Sequence, residues 1–190
     1  MCATQTHVLA YQGHGALNLT ASPPFDTVTV PGSGLDSLRT KLTQQGFTLD
    51  TSTSATLTIP SNVKVLLIFM PQITFSNAEV NAIKQFAAEG GRLVFLGNQT
   101  AYYGPAGVAT ENALMVQVGS ALVNTSAQLL PGAYSALAGS VYQLVSGLSS
   151  GIWFNTCSYV TTGPNDSPLM TDGAGHTVMA VTKIGVTPLP

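Results

Sequence analysis

Charged side chains are scarce in this chain. Lys and Arg number 6 and Asp and Glu 8, so 7% of the 190 residues are charged and the net charge is -2. Ordinary soluble domains carry roughly 25%. Six cations cannot neutralise a run of phosphates or hold an anionic membrane surface. Long apolar runs are missing too. The longest, Val65 to Met70, is six residues, whereas a bilayer-spanning helix needs about 20. Nucleic acid, a membrane span and a coiled coil are therefore excluded as expectations. Three His and two Cys, widely scattered, do not predict a zinc site. No basic stretch followed by an apolar one opens the chain, so a signal peptide is read as removed or never present. Met1-Cys2 leaves one alternative, a start residue placed on a lipoprotein whose first residue is Cys2.

What is present is apolar and hydroxyl-rich. Hydrophobic residues make up 45% of the chain, with 19 Gly and 11 Pro, enough for one packed domain over residues 1–190. The polarity comes from 16 Ser and 23 Thr rather than from charge. Such surfaces are more frequent in exported proteins, and the expected location is extracellular or periplasmic. Two readings of the cysteines stay open: a Cys2–Cys157 disulfide in an oxidising compartment, or two free thiols with Cys157 buried beside Trp153-Phe154.

The clearest unit runs from Val63 to Gly97. Val65-Leu66-Leu67-Ile68-Phe69-Met70, bracketed by Pro60 and Pro71, has the pattern of a strand buried on both faces. Ser76-Asn77-Ala78-Glu79 has capping-box spacing, with Phe75 and Val80 at the staple positions. Val80, Ile83, Phe86 and Ala87 form one apolar helix face, and Gly90-Gly91 stops it. Leu93 to Leu96 is the next strand. The whole is a βαβ crossover, right-handed and parallel. Upstream, His7 to Gln12 and Phe47 to Asp50 read as strands, and Ser33-Gly34-Leu35-Asp36 opens a helix bearing Leu35, Leu38 and Leu42. The long loop Gly13 to Gly32 separates the first strand from that helix. Downstream, Thr110 to Leu122 reads as a helix. Val141 to Val145, Ile152 to Phe154 and Thr177 to Thr182 read as strands. The expected fold is α/β: a flavodoxin-like three-layer fold with a mainly parallel sheet and a β-richer C-terminal third.

Several stretches carry a resemblance. These are "LDSLRTKLTQQGFTLDTST" (35–53), the strand from Val63, "TFSNAEVNAIKQFAAEGGRLVFLGN" (74–98) and "ENALMVQVG" (111–119). Together they resemble the class I glutamine amidotransferase-like domains of unknown function, flavodoxin-like units often found in exported bacterial proteins. In active amidotransferases the strand after the second helix leads into a sharp turn bearing a catalytic cysteine. Here that turn reads Phe95-Leu96-Gly97-Asn98-Gln99-Thr100. The resemblance thus implies the fold without glutaminase chemistry.

Ligands of open parallel sheets collect beyond the carboxyl ends of the strands. Those ends bear Gly13-His14-Gly15, Asp50-Thr51, Pro71-Gln72 and the run 98–103. The candidate ligand-binding residues are His14, Asn98, Gln99, Thr100, Tyr102 and Tyr103. This nearly uncharged set suits a neutral small molecule, a sugar or an ester. A solvated rim without ligand explains the same residues.

Other candidates are weaker. Gly32-Ser33-Gly34-Leu35-Asp36-Ser37 with Asp50 has part of a dinucleotide fingerprint but lacks the third glycine, and helix entry accounts for it. His176 and Asp172, four residues apart, are candidate base and orienter for Ser158 or Cys157 as nucleophile, although no G-x-S-x-G elbow surrounds them. Asp166 and Asp172 offer oxygen ligands for Ca²⁺ without EF-hand spacing, so no cofactor is expected and Ca²⁺ is the one candidate. The expected function is a non-catalytic small-ligand-binding or interaction module of an exported protein, with a carbohydrate, another neutral small molecule or a protein as partner. The alternative is a small hydrolase acting on an ester, lactone or amide, metal-assisted if Asp166 and Asp172 hold a cation.

Overall fold

The computed structural model describes residues 6–16, 40–127, 132–136, 152–154, 158–172 and 174–184. Chain contacts divide it into two compact units, Met1–Pro71 with Ser76–Leu96, and Gln72–Phe75 with Gly97–Pro190. The first contains β1 (His7–Tyr11), β2 (Thr48–Ser52), β3 (Val63–Phe69), α1 (Asn77–Ala88) and β4 (Arg92–Leu96). Residues 40–44 are helical as well, at the end of the helix expected around Leu35, Leu38 and Leu42. The rest of that expected helix, the glycine-rich run 32–37, Val141 to Val145 and Cys157 lie outside the described residues.

The four strands form one parallel sheet in the order β2-β1-β3-β4. β3 lies between two neighbours, which is why its apolar run is continuous: Leu66 and Ile68 are fully buried on one face, Leu67 and Phe69 on the other. Val8, Ala10, Leu67 and Phe69 make one core cluster, with Leu42, Phe47, Leu49 and Val65 packed against it. α1 follows the sequence closely. Ser76 is its N-cap, both arms of the capping box are present, and Val80, Ile83 and Phe86 are buried. Gly90, at φ +90°, takes the left-handed stop that an L side chain resists.

The second unit holds α2 (Thr100–Gln117) and β5 (Val123–Asn124), β6 (Gly132–Ala136), β7 (Ile152–Phe154), β8 (Val160–Thr161), β9 (Ser167–Thr171) and β10 (Thr177–Val181). Its strands run β5-β8-β10-β9-β6-β7, with antiparallel pairing. The fold is thus mixed α/β with a parallel sheet first and a β-rich C-terminal region, as expected. The helix expected over Thr110–Leu122 instead starts ten residues earlier and stops sooner. Gly104 (φ 76°, ψ 159°) and Pro105 join two helical segments across a kink, because proline tolerates a first helical position and not an interior one. Gly119, at φ +84°, ends the helix before Leu122.

Candidate functional site

β1 pairs with β2 on one side and β3 on the other, so the strand order reverses at β1. The crevice at such a switch point is where open α/β sheets hold ligands. The chain leaves β1 there through Gln12-Gly13-His14-Gly15. Gly13 is required by close approach: a Cβ would fall onto the Tyr11 ring and the Ser54 carbonyl. Tyr11 Oη donates to Ser54 O at 3.0 Å. His14 (φ 56°) and Met70 (φ 51°), just beyond β1 and β3, both adopt left-handed backbone conformations that cost a non-glycine residue free energy.

Glu79, in the first turn of α1, is 4% exposed and gathers this rim. Its Oε1 accepts from His14 Nε2 at 2.9 Å and from Leu57 N at 2.7 Å. Its Oε2 accepts from Ser76 N at 2.8 Å and Ser76 Oγ at 2.7 Å. Burial pushes the carboxyl pKa up, but the bonds from Leu57, Ser76 and His14 outweigh it and hold the group down to about 2. A carboxylate only accepts, so His14 Nε2 carries the shared proton. Burial, then the Glu79 charge, pushes Tyr11 up to about 12. Gln12, 8% exposed, keeps both its amide oxygen and its amide nitrogen without a hydrogen-bond partner among the described residues. His7 Nδ1 and Asp50 Oδ2 stand 2.8 Å apart, linking β1 to β2. The acid considered for a ribose is therefore paired with a histidine.

Of the candidate ligand residues, His14 belongs to the first unit and Asn98, Gln99, Thr100, Tyr102 and Tyr103 to the second. Tyr102 is 55% exposed, whereas Gln99 and Tyr103 are buried. Gln99 is the N-cap of α2 and Asn98 Oδ1 accepts from its N–H, but Gln99 Nε2 has no partner among the described residues. Tyr103 is a core residue: burial, then Glu111, drives its hydroxyl above the ordinary range.

Glu111 and Asn124 form a second buried node, which the sequence did not signal. Asn124 Nδ2 donates to Glu111 Oε2 at 2.7 Å and to Asn98 O at 2.9 Å. Asn124 N donates to Asn112 Oδ1 (2.8 Å) and Asn112 Nδ2 to Asn124 O (3.0 Å), so a helix side chain imitates a strand partner. A Cβ at Gly97 would collide with the Glu111 carboxyl. Burial pushes that carboxyl up to about 7, and the Asn124 bond only partly opposes the rise. Gly97 was the single hint available, and it could not name its partner.

His176 and Asp172 do meet. Nδ1 and Oδ2 lie 2.7 Å apart at the turn between β9 and β10, and the Tyr159 ring stands 4.6 Å from His176. Burial pushes the Asp172 carboxyl up, but the bonds from His176 and Ala174, with the His176 charge, together outweigh it and hold the group below the usual carboxylate range. No hydrogen bond joins Ser158 to this pair among the described residues. Asp166 Oδ2 accepts from Gly163 N at 2.7 Å, within a separate turn before β9. No group of three or more His, Cys, Asp or Glu that could hold a metal ion occurs among the described residues.

Residues 5–115 match the family described as ABC-type uncharacterized transport system, ABC_transp_aux, and the chain belongs to it. An auxiliary place in a transport system supports an accessory role. Among the described residues no helix is long and apolar enough to cross a membrane. No curated protein matches the chain. Solved structures share the fold at low identity. The mmIFT52 N-terminal domain is 12% identical, with a TM-score of 0.64 over 92% of this chain and 78% of that one. Cytoplasmic protein STM1381 from Salmonella typhimurium LT2 is 14% identical, with a TM-score of 0.64 over 95% and 84%. Exo-beta-1,4-mannosidase Op5Man5 from Opitutaceae bacterium strain TAV5 is 14% identical, with a TM-score of 0.51 over 94% of this chain but 29% of that one.

Proposed function

We propose that the chain is a non-catalytic accessory module of an ABC-type transport system that binds a neutral small molecule, a carbohydrate being the favoured class, at the β1–β3 rim. The observation that carries this reading is the closed His14–Glu79 pair. Four donors already occupy the Glu79 carboxylate, so it offers neither a base nor a counter-ion to a ligand. A general acid or base works with a pKa near the operating pH, and this group lies far below it. What the rim adds is the uncharged Gln12 amide, one donor face and one acceptor, suited to hydroxyls or amides rather than phosphates. The hydroxyl-rich, charge-poor composition supports an extracellular or periplasmic setting, where a protein partner of the transport system would meet the module.

The test pairs calorimetric titration against neutral mono- and disaccharides with turnover assays on ester, lactone and glutamine substrates. Saturable binding without turnover above background is expected. Turnover that disappears in His176→Ala, with the fold intact, would replace this reading by the hydrolase one. That second reading rests on the 2.7 Å His176–Asp172 contact, which orients an imidazole as a base requires.

A further inference from the structure

A cavity of about 340 Å³ opens in the first unit at the amino ends of β3 and β4. That volume lies within the roughly 300–1,000 Å³ of small-molecule clefts, at the small end. The strands are parallel, so the cavity and the His14 rim lie at opposite ends of the sheet. Its described lining residues all belong to this unit, and the chain leaves the unit after Pro71 and Leu96, at the other end of the strands.

Two walls enclose it. One is the turn into β3, where Val63 N donates to Pro60 O at 3.0 Å and Ser61 lines the cavity. The other is the last turn of α1, where Gly90 N and Gly91 N donate to Ala87 O and Phe86 O. A Cβ at Gly91 would lie 2.4 Å from Phe86 ring atoms, so glycine lets the ring close this wall. Val63 and Phe86 are buried and Ile59 half-buried, which gives the cavity an apolar interior.

Its rim carries two opposite charges. Lys64 is exposed and makes no hydrogen bond or ion pair among the described residues. Glu89 is the C-cap of α1, and its carboxylate accepts from Gln85 Nε2 at 2.9 Å. A carboxylate there meets the negative end of the helix dipole, and α1 has no basic residue in its last turn. Arg92, close by in the chain, donates instead to Gly90 O at 2.9 Å. The place of Glu89 therefore favours a cation from outside the helix.

We propose that this cavity is a separate ligand site for a free α-amino acid with an apolar side chain. The ligand carboxylate pairs with the Lys64 ammonium, its ammonium with the Glu89 carboxylate, and its side chain covers Phe86 and Ile59. A neutral sugar leaves both charges unused, and an anion without an ammonium meets Glu89. The site does not rest on the neutral-ligand reading of the rim.

Amide NMR of the full chain, titrated with L-leucine and L-phenylalanine, tests this. Saturable shifts are expected within residues 59–64 and 85–91, and none at Gln12 or His14. Lys64→Met and Glu89→Gln change exposed side chains, so each should keep the thermal transition and weaken binding about tenfold or more. N-acetyl-leucine, which lacks the ammonium, and leucinamide, which lacks the carboxylate, should show a similar loss against the wild type. No saturable shift, shifts indifferent to both substitutions, or equal binding by N-acetyl-leucine would each overturn the site. Glucose shifting the same residues as strongly would overturn it too.

Discussion

His14 Nε2 donates to Glu79 Oε1 at 2.9 Å, a buried bond that joins residues 65 apart in the chain. The bond ties the turn after β1 to the first turn of α1 and fixes the rim at the sheet's switch point. Glu79 is at once helix cap, partner of the Leu57 amide and partner of His14. Glu79→Gln should therefore cost more than the loss of a cap alone. Breaking a buried pair by removing one partner typically costs roughly 3–5 kcal/mol, against about 0.5–2 for an N-cap. Urea denaturation of Glu79→Gln beside Ser76→Ala measures the difference. Equal, small losses would mean that Glu79 acts only as a cap.

The same residue contributes to the acid limb of stability. Its folded pKa, about 2, lies below the ordinary 4.5, so its contribution is full above 4.5 and is lost as pH falls toward 2. Glu79→Gln should flatten the acid limb of the stability-against-pH curve. An unchanged slope between pH 4.5 and pH 2 would contradict the four-donor account.

Glu111 has the opposite sign. Its folded pKa, about 7, lies above 4.5, so its stabilising contribution is complete below 4.5 and is lost as pH rises through 7. Glu111→Gln keeps an acceptor for Asn124 without the charge, and the variant should gain stability relative to the wild type above pH 7. Melting temperatures from pH 5 to pH 9 check this. Parallel curves for the two proteins would mean that Glu111 is not the group that titrates.

Gly13→Ala probes the close approach at the rim. The added methyl would have to displace the Tyr11 ring and the Ser54 carbonyl, a backbone atom that cannot yield cheaply. Destabilisation by more than about 1 kcal/mol is expected, larger than the change for a glycine in open space. Gly119→Ala is no control, because its φ of +84° strains any side chain. A near-neutral Gly13→Ala would show that Tyr11 does not pack against residue 13.

The parts legible in the sequence were local. The capping box needs residues 76 and 79 only, and the β3–α1–β4 crossover announces itself in one apolar run, one helical face and one glycine stop. The α2 kink was missed because Gly104 and Pro105 look like a loop, although proline begins the second helical segment. Strands of two residues such as β5 and β8 have no period to read, and their pairing comes from distant partners. The hydrogen bonding around the candidate site was legible only in part. The sequence places His14 just after β1, but its tie to Glu79 spans a distance no motif encodes. Asn124 stayed hidden for the same reason. His176 and Asp172 sit four apart on one turn, so spacing sufficed.

A neutral ligand held at the rim beyond β1 through Gln12 should be lost in Gln12→Leu. Leucine keeps the volume and removes two buried polar atoms that have no partner among the described residues. Replacing an unsatisfied polar group by an apolar one of similar shape is near neutral or stabilising. Calorimetric titration of wild type and variant against the same neutral sugars, beside their melting temperatures, is the measurement. The expected result is a saturable heat in the wild type that vanishes in Gln12→Leu while the melting temperature holds or rises. Equal binding by both proteins, or a collapse of the fold in Gln12→Leu, would contradict it.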